Sequence, residues 1–181
     1  MLSEPLTLYK LMILYMLKQV KFPLSYSQIS EFFLSKEYTT YFTLQQAINE
    51  LLEAHLMKQE TIRNSSRYEI TREGEEALVF FGSNISEGIV ADMDQFLREN
   101  KIRLRNEVGV VADYYKSTTS DIVVQCEVRE GKGFLIQLNI SVPSEKQAEI
   151  ICDNWQDSNQ KIYSYVMSEL LKSRSNHNDE E

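Results

Sequence analysis

The stretch TLQQAINELLEAHLMKQETIRNSSRYEITREGEEAL, residues 43–78, changes from a helical to an extended hydrophobic period and back again. Apolar residues recur at three- and four-residue steps over residues 43–56, which predicts a helix with one buried face. Two short extended segments follow at residues 57–63 and 67–71, and the small polar residues between them suit a tight turn. Thr71 can cap the next helix. The stretch therefore predicts a helix, a β-hairpin and the start of another helix.

This order of elements resembles the winged-helix transcription regulators of bacteria, of the MarR and PadR kind. In those families a helix ending in Leu-x-x-x-x-Leu is followed by a strand, a turn with basic residues, and then Tyr-x-(Leu/Ile)-Thr-x-x-Gly-x-x-(Ala/Leu)-Leu. The residues that carry the resemblance are Leu51, Leu52, Leu56, Met57, Arg63, Arg67, Tyr68, Ile70, Thr71, Gly74, Ala77 and Leu78. The whole chain is also similar to a bacterial family of two-domain winged-helix proteins of unknown function. The resemblance implies a DNA-binding head over about the first eighty residues.

Caps and apolar periods predict the rest of the first domain. A helix from Pro5 to about Gln19 has hydrophobic residues around most of its circumference, so we expect it to be buried on two sides. One side would pack in the winged helix and the other against a partner chain or the second domain. A second helix over residues 25–35 supports the recognition helix, and a short strand over residues 38–42 joins the wing. Four pairs with capping-box spacing mark helix starts, namely Ser25 with Gln28, Thr43 with Gln46, Asn84 with Glu87 and Ser144 with Gln147. These elements assign the winged-helix domain to residues 1–82.

A second domain is predicted after a joint at residues 82–84, where Gly-Ser-Asn interrupts the apolar pattern. A helix to about Asn100 comes first, and apolar and polar residues then alternate with the period of half-buried strands. The remaining predicted elements are strands near residues 102–114, 122–128 and 134–142 and a long helix over residues 144–170. Short connections indicate an antiparallel meander with helices on one face. This domain spans residues 83–172, and residues 173–181 form an acidic flexible tail.

Composition indicates an ordinary globular protein. A chain of 181 residues, 43% hydrophobic and 25% charged, is long enough for two small domains. The N-terminal apolar run is too short to span a bilayer and no cleavage site follows it, which favours a cytoplasmic protein without a membrane partner. Cys126 and Cys152 lie in apolar periodic stretches, so buried thiols of a reducing compartment are favoured over a disulfide or redox pair.

The formal net charge of −8 opposes nucleic-acid binding, because affinity for DNA comes largely from neutralising phosphates with lysine and arginine. The charge is unevenly distributed. Residues 1–80 carry eight basic and ten acidic side chains, a net charge of −2, and the remaining −6 belongs to the rest of the chain. A near-neutral head on an acidic body can bind DNA locally, but we expect weak binding unless the protein is dimeric.

The predicted recognition helix has amide side chains on its outward face. Gln45, Gln46 and Asn49 lie in its N-terminal half, and such amides can pair with adenine edges in the major groove. The alternative is that these residues form an ordinary solvated helix face. Glu50 and Glu53 are adverse to phosphate contact. Both interpretations stay open at the level of the sequence.

The predicted wing carries the best local cluster of basic residues in the head. Arg63 and Arg67 bracket its turn, and Lys58 lies on its first strand. Wing arginines in related folds reach phosphates or the minor groove, whereas a merely solvated hairpin would carry similar charges. The set of candidate DNA-binding residues is therefore Gln45, Gln46, Asn49, Lys58, Arg63 and Arg67.

Signals for catalysis, a cofactor or a metal site are missing from the sequence. It has no glycine-rich phosphate loop and no nucleophile elbow. Its two histidines are His55, interpreted as a packing residue at a helix end, and His177 in the tail. We predict neither an enzyme nor a cofactor.

The sequence thus predicts an α+β fold, with a winged helix-turn-helix followed by a three-stranded antiparallel sheet domain with flanking helices. The function it favours is a homodimeric regulator of transcription that binds double-stranded DNA. The second domain would serve dimerisation, the sensing of a small-molecule effector, or both. The alternative is a winged helix that binds another protein and does not bind DNA.

Overall fold

The computed structural model describes residues 4–173, so the predicted tail lies outside the described residues except for Ser173. The elements are α1 Glu4–Val20, β1 Leu24–Ser25, α2 Tyr26–Ser35, α3 Tyr41–Glu53, β2 Met57–Ile62, β3 Ser65–Ile70, α4 Arg72–Phe81, a 3-10 turn Gly82–Asn84, α5 Glu87–Gly109, β4 Val110–Lys116, β5 Ile122–Glu130, β6 Gly133–Val142 and α6 Glu145–Leu170. The fold is α+β, as predicted. The chain divides into two compact units between Gly109 and Val110, so the predicted joint at residues 82–84 falls inside the first unit.

Helix α1 is the centre of the first unit. Its buried residues occupy most of its circumference: Leu6, Leu11, Met12, Ile13, Leu14, Met16, Leu17 and Val20. It packs against α3, α4, β3 and α5, all in the first unit. The burial on two sides is confirmed, but the second side is not left for a partner chain or the second unit. Because elements of the same unit cover both sides, α1 offers no large apolar face to a second chain.

Helix α2 begins at the predicted capping box. The Ser25 hydroxyl accepts from the backbone of Gln28, and the Gln28 side chain accepts from the backbone of Ser25. The helix ends in a Schellman motif, in which Glu37 has the left-handed φ of 56° and the N–H of Tyr38 donates to the carbonyl of Phe33 over 2.9 Å. The predicted strand at residues 38–42 is therefore wrong, because Tyr38 belongs to this helix end.

The N-cap of helix α3 lies three residues earlier than the sequence pattern indicated. Thr40 is its N-cap, and the Thr40 hydroxyl accepts from the backbone N–H of Thr43. The predicted capping box of Thr43 with Gln46 is wrong for this reason, since both residues already lie inside the helix. Its C-terminal end is a second Schellman motif, with His55 at a φ of 57°. His55 is exposed there, which corrects its interpretation as a packing residue.

The hairpin β2–β3 is shorter at its tip than predicted. Ile62 pairs with Ser65, so the turn consists of Arg63 and Asn64 alone, and Arg63 takes the left-handed φ of 53°. The third strand of this sheet is β1, which pairs with β3 and gives the order β1-β3-β2. The central strand is therefore β3.

Helix α5 continues to Gly109, so the strand predicted from residue 102 is wrong up to that point. Met93, Leu97, Leu104 and Val108 are its buried residues, and their spacing follows one helical face. Ile102 is 70% exposed, although the alternating pattern had assigned it to the buried side of a strand. The segment Lys-Ile-Arg-Leu-Arg at residues 101–105 is rich in good helix formers, and the alternation over it was accidental.

The second unit is an antiparallel meander in the order β4-β5-β6, as predicted. Helix α6 packs on one face of it, and the core consists of Val124, Cys126, Ala148, Cys152 and Trp155. The indole N–H of Trp155 donates to the Glu127 carbonyl over 3.0 Å, which satisfies the one polar atom of that buried ring. Both cysteines are buried thiols, as the sequence favoured.

No helix among residues 4–173 is long and apolar enough to cross a membrane.

Candidate nucleic-acid interface

The buried face of α3 fixes which of its side chains point outward. Leu44, Ala47, Ile48 and Leu51 are fully buried, and they define the inward stripe. The opposite face presents Gln46, Asn49 and Glu53 to solvent, while Gln45 is partly exposed. The three amides predicted from the sequence therefore share one accessible surface, which we call the amide face and define as Gln45, Gln46 and Asn49.

Hydrogen bonds orient the side chains of the amide face. The Gln45 amide donates to the Asn49 side-chain oxygen over 3.2 Å, and the Gln46 amide donates to Glu50 over 3.0 Å. These pairs are four residues apart, the spacing at which helical side chains meet. Because the side-chain N–H groups of Gln45 and Gln46 already donate these hydrogen bonds, both side chains are partly ordered in the free protein.

Lys10 forms an ion pair with Glu50, one of the two acidic residues of α3 that are adverse to phosphate contact. Its ammonium group lies 2.9 Å from a carboxylate oxygen of Glu50, and both side chains are partly buried. The hydrogen bond from Lys10 holds the pKa of Glu50 below its ordinary value. Nothing in the sequence indicated this pair, because Lys10 is 40 residues away on α1. Glu53 remains an exposed negative charge.

Two aromatic residues stand at the N-terminal end of α3. Phe42 is 82% exposed, and its ring packs edge-to-face on Tyr41 with 5.6 Å between centroids. Tyr41 in turn packs edge-to-face on Tyr26. Their position at the start of a helix was not predicted, because residues 38–42 had been assigned to a strand. The threonine-rich cap before them, Thr39-Thr40, was the signal that could have moved the helix start forward.

The hairpin β2–β3, which was predicted to be the wing, presents one basic residue at its tip. Arg63 lies in the two-residue turn and is exposed. Lys58 is exposed as well, but its ammonium group is 2.7 Å from Glu69 on the paired strand, and that hydrogen bond raises the pKa of Lys58. An exposed ion pair of this kind is weak and exchanges partners readily. Lys58 can therefore turn to a phosphate only at the expense of Glu69.

Arg67 is not available for DNA. It lies on the central strand β3 and is only 9% exposed, and its guanidinium donates to the backbone carbonyl of Val108 near the end of α5. The sequence had assigned Arg67 to the outer wing because it follows the turn closely. Its side chain instead lies toward α5, and its neighbours in the sheet are Ser25 of β1 and Glu60 of β2. Arg67 joins the hairpin to α5 and leaves the candidate interface.

A threonine fixes the angle between α3 and the hairpin. The Thr71 hydroxyl donates to the His55 carbonyl over 2.7 Å and accepts from the backbone N–H of Gly74 over 3.1 Å. The Thr71 N–H donates to the Leu56 carbonyl. Thr71 thus joins the segment that ends α3 to the end of β3. The orientation of the amide face relative to the tip of the hairpin is therefore fixed within the first unit.

The described residues contain no group of three or more potential metal ligands. The exposed side chains of α3 and the hairpin include amides, hydroxyls, one arginine, one lysine, two aromatic rings and several carboxylates. These groups can bind a polyanion or a protein surface.

The chain belongs to a family described as a domain of unknown function, DUF4364, whose model matches residues 9–170. That range extends across both compact units. No curated protein and no solved structure matches the chain.

Proposed function

We propose that this DUF4364 protein is a winged-helix regulator of transcription that binds double-stranded DNA through α3 and the hairpin β2–β3. In this proposal α2 and α3 form the helix-turn-helix and α3 is the recognition helix. The hairpin is the wing. The observation that carries the proposal is the amide face, because three amide side chains share the outward surface of the helix that directly precedes the hairpin.

The amide face suits the reading of bases better than it suits attraction to phosphates. Asn and Gln side chains can accept from and donate to the same adenine, so they distinguish it from other bases in the major groove. Gln46 and Asn49 are exposed, and the neutralisation of Glu50 by Lys10 removes one charge that would repel the DNA backbone. To contact a base, these amides must give up their internal hydrogen bonds, and only a matching base replaces them. The affinity therefore depends on the base sequence.

Attraction to the backbone rests on a small number of cations. Arg63 at the wing tip is the principal phosphate or groove contact, and Lys58 adds a second if it leaves Glu69. A single head with so few cations has low affinity for non-specific DNA and a shallow dependence on salt. Two heads on a palindromic site would double both the base contacts and the cations, so the proposal includes a homodimer. A small-molecule effector of the second unit is compatible with it and has no specific support.

One observation favours a second candidate function, which is the binding of another protein by the same head. Phe42 and Tyr41 form an exposed aromatic pair at the end of α3, and aromatic residues are enriched in protein interfaces. The exposed Glu53 and the acidic chain as a whole agree with a basic protein partner. Under this alternative, Phe42→Ala abolishes the interaction while substitutions in the amide face have little effect.

The experiment that tests the proposal is selection of binding sites from random-sequence duplex DNA, followed by measurement of affinity across a salt series. We expect an enriched site and a negative slope of log affinity against log salt, which Arg63→Ala reduces by about one for each head bound. Arg98→Ala is the matched control, because Arg98 is an exposed arginine of the same unit on α5. Failure to enrich any site contradicts DNA reading and favours the protein-binding alternative.

A further inference from the structure

The sheet of the second unit has two edges that differ in charge. The edge strand β4 contains Asp113 and Lys116, whereas none of the ten residues of the other edge strand, β6, is charged. Exposed edge strands usually carry charges or proline, because their unpaired backbone groups otherwise recruit further strands. β6 has neither within its span. It is therefore the edge of this sheet that is open to pairing.

The apolar face of the sheet is partly exposed to solvent along its edge strand β6. Ile140 is 38% exposed, while the residue paired with it on β5, Val124, is fully buried on the same face. Among the described residues β6 pairs with β5 alone in this sheet. A further strand beside β6 would place side chains next to Ile140 and continue the apolar layer.

A bulge limits which part of β6 can accept a new strand. Val128 pairs with Ile136 and Arg129 pairs with Phe134, so Leu135 is an extra residue on β6. Beyond it the pairing is regular, from Ile136 to Val142. This seven-residue segment, Ile-Gln-Leu-Asn-Ile-Ser-Val, has strict alternation of apolar and polar residues and is centred on Asn139.

We propose that residues 136–142 pair antiparallel with the same segment of a second copy of this chain, around a two-fold axis at Asn139. In that register Ile136 lies opposite Val142, Leu138 opposite Ile140 and Gln137 opposite Ser141. Asn139 meets its own counterpart. Every apolar side chain therefore meets an apolar side chain on one face, and every polar side chain meets a polar one on the other. The product is a continuous six-stranded sheet.

The same geometry explains why assembly stops at two chains. The two-fold pairing uses the same edge of both copies, so it is closed. The edges that remain are the two β4 strands, which carry the charges of Asp113 and Lys116 and resist further pairing. This interface involves only the second unit and does not depend on DNA binding by the first. It would, however, supply the dimer that the proposed function requires.

The test places charge at the two-fold axis. Asn139 is exposed on the face of the sheet opposite α6, so Asn139→Lys and Asn139→Glu leave the fold of the single chain intact. In each variant two like charges would lie directly opposite each other, which opposes pairing. A mixture of the two variants would place opposite charges there. Tyr115→Lys is the matched control, since it adds the same charge to the exposed surface of the other edge strand.

Light scattering after gel filtration at tens of micromolar protein is the measurement, and circular dichroism confirms that each variant is folded. We expect twice the chain mass of 21.1 kDa for the wild type and for Tyr115→Lys. We expect the single-chain mass for each Asn139 variant alone and the doubled mass for their equimolar mixture. A monomeric wild type overturns the proposal, and so does an Asn139→Lys variant that stays dimeric. Loss of DNA binding in a protein that remains dimeric would bear on the proposed function alone.

Discussion

Gly74 lies so close to Leu56 that a Cβ atom on residue 74 would stand 2.0 Å from the Leu56 carbonyl oxygen. The same oxygen accepts from the backbone N–H of Thr71, so it cannot move away without loss of that hydrogen bond. The start of α4 is thereby pressed onto the end of α3. This contact gives a physical reason for the glycine of the Thr-x-x-Gly pattern at residues 71–74.

Gly74→Ala should destabilise the protein by about 3 kcal/mol, because the new methyl group meets backbone atoms that cannot change rotamer. Chemical denaturation measures the free energy of unfolding. The matched control is Gly88→Ala on α5, where a Cβ atom meets nothing within 4 Å. That substitution should stabilise by roughly 0.5–1 kcal/mol, because it removes the entropy cost of a helical glycine. Equal effects at the two glycines would refute the role assigned to the contact.

The sequence predicted most clearly what local periodicity and capping determine. The buried faces of α1, α2 and α3, the capping box at Ser25 and the meander of the second unit are present in the structure. Contacts distant in sequence decided the rest. Ile102 and Leu104 alternate as a strand would, but the docking of Leu104 and Val108 within the first unit favours a helix. The burial of Arg67 accompanies its hydrogen bond to the Val108 carbonyl, 41 residues away, which no local pattern indicates.

The candidate site was predicted in part. The outward position of Gln46 and Asn49 follows from the apolar stripe alone and is present in the structure. The ion pair of Lys10 with Glu50 joins two helices, and helical periodicity carries no information about it. The exposure of the Phe42 ring was not predicted, because the predicted N-cap lay three residues too late in the chain.

Substitutions of Arg63 and Arg67, the two arginines of the β2–β3 hairpin, should have different effects. Arg67→Met removes a charged donor from the Val108 carbonyl, and we expect a loss of about 1.5–3 kcal/mol in the free energy of unfolding. Arg63→Ala is at an exposed turn and should change stability little while it weakens binding to all DNA sequences alike. Thermal unfolding and DNA titration on both variants make the comparison. If Arg67→Met kept full stability and lost DNA affinity, the structural role of Arg67 would be disproved.

Stability should fall at high pH through two tyrosines that hold α5 in the first unit. Burial, together with hydrogen bonds to Asp94 and Asp92, raises the pKa of Tyr15 and of Tyr38 from 10.0 to about 12. A phenol with a raised pKa in the folded state stabilises it fully below pH 10. That contribution is lost as the pH rises towards 12.

Unfolding measured between pH 9 and pH 12 tests these two residues. The double variant Tyr15→Phe, Tyr38→Phe should be less stable than the wild type at neutral pH, and the difference should shrink at high pH. Tyr165→Phe, at an exposed position on α6, is the control and should follow the wild-type curve. A difference that stayed constant over this range would argue against the two hydrogen bonds.

The buried thiols should be unreactive in the folded protein. Burial, with a smaller effect of the neighbouring Cys152, raises the pKa of Cys126 to about 11, so its thiolate is scarce near neutral pH. A chromogenic disulfide reagent at mildly alkaline pH should label two thiols in denaturant and almost none without it. Rapid labelling of the native protein would show that the core of the second unit opens easily.

The most direct test of DNA reading compares Gln46→Ala and Asn49→Ala with Gln95→Ala on a selected DNA site and on unrelated DNA. Gln95 is a close control, because it is an exposed glutamine on α5 that donates to Glu99 as Gln46 donates to Glu50. We predict that each of the first two variants loses about 1–3 kcal/mol of binding free energy on the selected site only. Gln95→Ala should bind like the wild type. Unchanged affinity of both amide-face variants for the selected site would contradict the assignment of α3 as a helix that reads DNA.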